Sequence, residues 1–220
     1  MKLDPVHDLQ KTFREVVRLF TYPGRTANLS DIAGLIEPVP AFNPVMMLLG
    51  MVLLDGEVTF HFASDGTDGL AGNPTLSPDA RLISELTYSR STLPDSADFL
   101  FITRSAEDPL SVLRSVPVGT LVDPHRGATA ILEVDRLGRE GEPVGSSLTL
   151  SGPGIRDSRT ISGIWGCDWV TARNEACTEY PLGIDILCVD KAGEVMAIPR
   201  TTRIEVPDTT RSKNPVKGSR

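Results

Sequence analysis

Apolar residues near the N-terminus recur every three or four positions. This spacing predicts an amphipathic helix over residues 6–21. The Tyr-Pro-Gly-Arg sequence at 22–25 ends it, because proline and glycine interrupt the helical hydrogen-bond ladder. The apolar stripe consists of Leu9, Phe13, Val16, Val17 and Phe20.

Four further helices are predicted from capping residues and apolar content. Pro44 can open a helix that is apolar nearly all round up to residue 53, so we expect it in the core. The sequence Ser-Pro-Asp at 77–79 combines a cap, a proline at the first helical position and an acidic first turn. The other two helices are predicted over about 108–115 and 165–178.

Short apolar segments predict six strands. Residues 97–103 form a continuous apolar run, which is typical of a strand buried on both faces. Residues 184–189 and 194–198 predict a hairpin with Lys191 in its turn. Because helices and strands alternate, we predict an α/β fold with a mixed sheet covered on both faces. The remaining predicted strands are 58–62, 128–135 and 147–151, and the predicted loops are 26–43 and 138–146.

Length, charge and apolar content limit the number of domains and the kinds of partner that this chain can have. The 220 residues predict one domain over 1–206, since no spacer divides them, and a disordered tail over 207–220, which is almost without apolar residues. The net charge of −7 argues against a nucleic-acid partner, but it allows a local arginine cluster to bind a small anion. The longest apolar run, 45–54, is too short to span a membrane. The N-terminus lacks a signal-peptide core, so we expect an unprocessed cytoplasmic protein with no membrane partner.

Common catalytic and cofactor motifs are absent from the sequence. It contains no GxxxxGK, no GxGxxG opening a helix and no GxSxG. Its three histidines and three cysteines are too scattered for metal-ligand spacing, so we predict no metal site. No lysine occurs between Lys11 and Lys191, which argues against pyridoxal phosphate, because that cofactor needs a lysine amine in the core. We predict no cofactor and name no catalytic residue.

Two segments combine groups that can bind an anion. Residues 151–156, Ser-Gly-Pro-Gly-Ile-Arg, allow close backbone approach and offer the Arg156 guanidinium. Residues 199–203, Pro-Arg-Thr-Thr-Arg, offer two guanidinium groups and two hydroxyls. A tight turn and a solvated edge segment are the respective alternatives.

Aromatic residues provide candidates for a partner surface. Trp165 and Trp169 share one face of the predicted helix, where core packing is the alternative to an interface. With Tyr180, they are the interface candidates.

Several short sequence motifs occur in an order and spacing that is informative when they are considered together. GPGI at 152–155, GID at 183–185 and PRTT at 199–202 are the most specific. Others are 13–25, 53–55, 97–103, 119–129 and 148–151. Over residues 6–204, the set resembles PhnH, a subunit family of the bacterial carbon–phosphorus lyase system.

This resemblance implies a three-layer α/β/α sandwich, similar to the large domain of pyridoxal-phosphate-dependent transferases but without the cofactor. It implies a homodimer when the protein is alone and a core complex with PhnG, PhnI and PhnJ. That complex transfers a phosphonate to the ribose of a nucleoside triphosphate, giving ribose 1-methylphosphonate 5-triphosphate, before the carbon–phosphorus bond is cleaved. The family offers no agreed catalytic residues, which implies a subunit that is not catalytic alone. The motif positions and neighbouring arginines give the binding candidates Gly152, Gly154, Arg156, Asp185, Arg200, Thr201 and Arg203.

Two other functions stay open. The chain could act alone as an anion- or phosphonate-binding protein that uses Arg156, Arg200 and Arg203. It could also be a transferase with an unrecognised site, in which case Lys191 is the first residue to substitute.

Overall fold

The computed structural model describes residues 2–64 and 76–207. Except for Pro207, the predicted tail therefore lies outside the described residues. The helices are α1 (His7–Thr21), α2 (Ser30–Ala33), α3 (Pro44–Leu53), α4 (Pro78–Thr87), α5 (Pro109–Ser115) and α6 (Trp169–Ala176). The strands are β1 (Thr26–Asn28), β2 (Thr59–Ala63), β3 (Arg90–Ser91), β4 (Phe99–Ile102), β5 (Thr129–Glu133), β6 (Arg136–Leu137), β7 (Ser146–Ser151), β8 (Arg159–Ile164), β9 (Asp185–Val189), β10 (Glu194–Ile198) and β11 (Arg203–Glu205).

The main sheet is mixed, as the sequence predicts. Within the described residues it has seven strands in the order β1-β10-β9-β5-β4-β2-β3. Neighbouring strands from β9 to β3 are parallel, and β10 and β1 extend the sheet with antiparallel pairs. The predicted hairpin of β9 and β10 is confirmed, with Lys191 exposed in its turn.

Both faces of the main sheet are buried. In β4, Phe101 joins a hydrophobic cluster formed with α1, α2, α3 and α4. Its neighbours Leu100 and Ile102 join a second cluster with α5 and α6 on the opposite face. The continuous apolar run in this segment therefore reflects a strand with no solvent-facing side.

The predicted starts of α3 and α4 are confirmed by side-chain caps. The Asn43 Oδ1 accepts a hydrogen bond from the Val45 amide at 3.0 Å, and the Ser77 Oγ accepts one from the Ala80 amide at 3.1 Å. These caps satisfy amides that have no partner within the helix. Helix α3 is buried from Val45 to Gly50, as its apolar sequence predicts.

A second, antiparallel sheet in the order β11-β7-β8-β6 packs on the α5 and α6 side. Of its strands, only β7 is predicted from the sequence, because β8 places arginine, serine and glycine among its few apolar residues. Pairing of Leu148 with Ile161 supplies the apolar contact that local sequence does not show. On this side of the main sheet, α5 and α6 therefore share a layer with a second sheet that the sequence does not predict.

The buried face of α1 is rotated relative to the predicted stripe. Val16 is buried and Leu9 and Phe20 pack against the core as predicted, but Phe13 is 51% exposed and Val17 is exposed as well. Thr12 and Leu19 are buried in their place. Thr12 tolerates burial because its hydroxyl donates to a backbone carbonyl one turn earlier at 2.8 Å.

Two boundary predictions are wrong. The predicted loop over 26–43 contains β1 and α2, because pairing of Thr26 with Met196 recruits this segment to the sheet edge. Helix α6 begins at Trp169 instead of residue 165. Asp168 caps this start, because its side chain accepts a hydrogen bond from the Thr171 amide.

Replacing Phe101 with alanine tests the packing of the central strand. We expect the free energy of unfolding to fall by about 3–5 kcal/mol, because removing this fully buried ring leaves a cavity beside Phe60. Urea denaturation followed by circular dichroism measures the change. Phe13→Ala is the matched control and should change stability by less than about 0.5 kcal/mol. Equal losses for the two variants would contradict this placement.

Candidate functional site

A cleft of about 760 Å³ opens between the end of α6, the turn after β7 and the segment that links β10 to β11. We call it the C-terminal cleft. It brings together the two segments that the sequence marks as anion-binding candidates. Its lining includes Gly152, Arg173, Tyr180, Arg200, Thr201 and Arg203.

The guanidinium of Arg200 makes four hydrogen bonds within the protein. Its Nε and Nη2 donate to the Asp185 Oδ2 at 3.0 and 2.6 Å, and the Arg200 amide donates to Oδ1 at 2.7 Å. The Nη1 and Nη2 atoms also donate to the carbonyls of Pro124 and Gly127 at 2.7 and 3.0 Å. These contacts hold the segment after β10 against β9 and against the loop before β5. Few donors of Arg200 therefore remain for a ligand.

The two glycines of the 152–155 motif lie in different environments. A Cβ atom on Gly152 would lie 2.9 Å from the carbonyl oxygen of Thr201, at the C-terminal cleft. A Cβ atom on Gly154 would instead overlap the carbonyl oxygen of Thr21, at the end of α1. Gly154 therefore allows two backbones to pack closely and does not line the cleft. Arg156 is exposed and also lies outside the cleft lining.

Arg173 is a cleft residue that the sequence analysis does not single out. It is only 2% exposed, and no carboxylate of the described residues forms an ion pair with it. Its Nη2 donates to the Pro199 carbonyl at 2.7 Å and its Nη1 donates to the Asn174 Oδ1 at 3.1 Å, while its Nε has no hydrogen-bond partner among the described residues. Burial lowers the pKa of this guanidinium from its ordinary value. The available signal was its position four residues after Trp169, on the buried face of α6.

Two hydroxyl-bearing residues complete this part of the cleft. The Thr202 Oγ1 is buried without a hydrogen-bond partner among the described residues, and Thr201 beside it is partly exposed. Arg203 is exposed and, within the described residues, has no ion-pair partner. Arg173 and Arg203 outnumber Glu205, which also lines the cleft, so the cleft carries excess positive charge that suits an oxyanion.

The interface candidates separate by exposure. Trp165 and Trp169 are 8% and 0% exposed, and their rings contact edge to face at 5.7 Å between centroids. Both belong to the hydrophobic cluster that includes α5 and α6, as the core-packing alternative describes. Tyr180 is 78% exposed at the rim of the cleft.

The cysteines occupy dissimilar positions. Cys188 is fully buried, which raises the pKa of its thiol, and partial burial also raises the pKa of Cys167. Cys177 lines the C-terminal cleft.

In residues 2–64 and 76–207, no group of three or more histidine, cysteine or acidic side chains is arranged to hold a metal ion. None of the helices in the same ranges is long and apolar enough to span a membrane.

Taken together, these features define an α/β protein with a mixed sheet and an arginine-lined cleft beside its last strands. The chain belongs to the PhnH family, described as a bacterial phosphonate metabolism protein, whose family model matches residues 2–205. This match confirms the resemblance inferred over residues 6–204.

Two named relatives align over most of this chain. One is a putative C–P lyase subunit protein, HtxG, from Stutzerimonas stutzeri, 30% identical over 200 residues that cover 90% of this chain and 86% of the relative. The other is the alpha-D-ribose 1-methylphosphonate 5-triphosphate synthase subunit PhnH from Rhizobium meliloti (strain 1021). It is 26% identical over 214 residues, which cover 92% of each chain.

Arg200→Lys tests whether this residue is structural. Lysine keeps the charge but cannot reproduce both side-chain hydrogen bonds to the Asp185 Oδ2 together with both carbonyl contacts. We expect the free energy of unfolding to fall by about 2–4 kcal/mol in a urea titration. The control is Arg114→Lys, which alters the exposed pair with Glu175 and should have little effect. An Arg200 variant as stable as this control would contradict the assignment.

Proposed function

We propose that this chain acts in phosphonate catabolism as a subunit of a C–P lyase assembly. The match of the PhnH family model to residues 2–205 carries the proposal. The names of both relatives support it, because each describes a subunit.

The proposal has a finer part, which rests on the sequence resemblance. The partners are PhnG-, PhnI- and PhnJ-type subunits in the cytoplasm, and the chain forms a homodimer without them. The assembly transfers a phosphonate to the ribose of a nucleoside triphosphate, and this subunit is not catalytic alone. A helix-covered sheet with five adjacent parallel strands supports the comparison with the large domain of pyridoxal-phosphate-dependent transferases.

Co-expression with the cognate PhnG-, PhnI- and PhnJ-type subunits tests this proposal. We expect a stoichiometric complex after affinity purification, with a mass that accounts for every subunit. A homodimer that leaves all three partners in the flow-through would contradict the subunit role. Turnover of a phosphonate by the isolated chain would instead favour the transferase alternative.

Tyr180 is the exposed member of the predicted interface, and we propose that it contacts a partner subunit. Tyr180→Ala should weaken binding of the immobilised chain to the purified partner subunits by about tenfold or more, as expected for an aromatic interface residue. Tyr88, directly after α4, is 82% exposed and provides the matched control, Tyr88→Ala. Equal affinities for both variants and the parent would remove Tyr180 from the interface.

Oxyanion binding at the C-terminal cleft is a second candidate function. The buried charge of Arg173, which has no ion-pair partner among the described residues, favours it. Calorimetric titration with methylphosphonate should then give saturable heat that Arg203→Gln weakens by about tenfold. Arg156→Gln removes an exposed charge outside the cleft and is the control. No heat at millimolar methylphosphonate would exclude this candidate.

A further inference from the structure

The second sheet leaves part of one strand edge open. Strand β6 pairs with β8 only through Arg136 and Leu137, opposite Ile164 and Gly163. Within the described residues, Arg159–Ile161 therefore has β7 as its only strand neighbour. The 22–25 turn and the 138–143 loop border this edge and enclose a cavity of about 730 Å³, which we call the arginine pocket.

Four arginines line the pocket, and two of them have no counter-ion. Arg18 pairs with Glu15 at 2.7 Å, and Arg139 pairs with Glu194 at 2.6 Å. The remaining two, Arg25 and Arg159, form no ion pair with any described residue. Arg25 lies over the ring of Tyr22, 5.0 Å from its centroid.

The pocket also contains two acidic residues, which reduce its positive charge. Glu142 forms an ion pair with Arg136. Glu140 is exposed and has no partner among the described residues. The lining still carries more arginines than carboxylates.

Hydroxyl groups line the same pocket as the unpaired guanidinium groups. Thr26, Ser147, Ser158 and Thr160 line the pocket, and their side chains make no hydrogen bond to other described residues. Ser147 and Thr160 lie on one face of the second sheet, and Arg159 projects from the other face at the open edge, because Thr149 pairs with Thr160 and Leu150 pairs with Arg159. A hydroxyl can donate to an oxyanion without adding charge.

The 22–25 turn is positioned by close packing and not only by the end of α1. Gly24 has a positive φ of 78°, and a Cβ atom there would lie 2.8–3.0 Å from side-chain atoms of Leu150, Ile161 and Arg159. The Gly24 amide donates to the Ala197 carbonyl at 3.3 Å. The sequence analysis explains this turn only as a helix stop, but the packing also places Arg25 and Arg159 in one pocket.

We propose that the arginine pocket binds a phosphoryl or phosphonyl group carried by a larger molecule. A guanidinium group matches such an anion because it presents two parallel donors, and the free hydroxyls can take the remaining oxygens. The cavity is larger than one such group and falls in the size range of sites for small organic ligands. The inference concerns the isolated chain, so it goes beyond the proposed role in an assembly.

Isothermal titration of the full chain with pyrophosphate at low ionic strength tests the site. We expect saturable binding that Arg25→Gln and Arg159→Gln each weaken by about tenfold or more. Arg156→Gln is the matched control, since this exposed arginine lies outside the pocket and should leave affinity unchanged. Thermal unfolding of every variant verifies that the fold is retained, which we expect because neither target arginine forms an ion pair within the described residues.

Parallel titrations with inorganic phosphate and methylphosphonate identify the ligand source. Tighter binding of pyrophosphate supports a polyphosphate group, and tighter binding of methylphosphonate supports a phosphonate. The proposal is overturned by absence of saturable heat, by equal affinity for sulfate, or by an equal loss in Arg156→Gln. It is also overturned if Arg203→Gln abolishes binding while the Arg25 and Arg159 variants retain it, since the anion would then occupy the C-terminal cleft.

Discussion

Both faces of the main sheet are buried, so acidic residues in its strands need ion-pair partners. The connecting segments supply these partners. Asp185 and Glu194 lie in β9 and β10, where an unpaired carboxylate would cost several kcal/mol. Asp185 is paired with Arg200, and Glu194 accepts two hydrogen bonds from Arg139 at 2.6 and 2.9 Å. Arg200 lines the C-terminal cleft and Arg139 lines the arginine pocket. The ion pairs that neutralise the two sheet carboxylates therefore also position part of the wall of each cavity.

Close backbone approach links the N-terminal helix to the second sheet. Gly154 lies against the carbonyl oxygen of Thr21, and Gly24 lies against Leu150 and Ile161. A side chain at either glycine would separate these segments, and both have positive φ values that disfavour other residues. The 22–25 and 152–155 motifs are thus two halves of one contact, although about 130 residues separate them in the sequence.

The sequence predicts the main sheet well because its signals are local. The apolar run of β4, the helix starts at Pro44 and Ser77, and the β9–β10 hairpin are each contained in a short segment. Strand β8 and the short strand β1 escape prediction because pairing with distant strands, and not their own composition, makes them strands. The same reasoning explains the site. Arg200, Thr201 and Arg203 are identified from one segment, whereas Arg173 reaches the cleft through the packing of α6 against that segment.

The acidic charge of the chain does not decide which ligand it can hold. A net charge of −7 acts over distances that salt screens, since the Debye length is about 10 Å at 0.1 M ionic strength. Inside a cavity, the nearest unpaired charged groups dominate the electrostatic potential. Arg139 and Arg200 are paired with the sheet carboxylates Glu194 and Asp185. Of the arginines lining the two cavities, Arg25, Arg159, Arg173 and Arg203 have no ion-pair partner among the described residues. An anion can therefore find local positive charge on a chain that, taken as a whole, repels it.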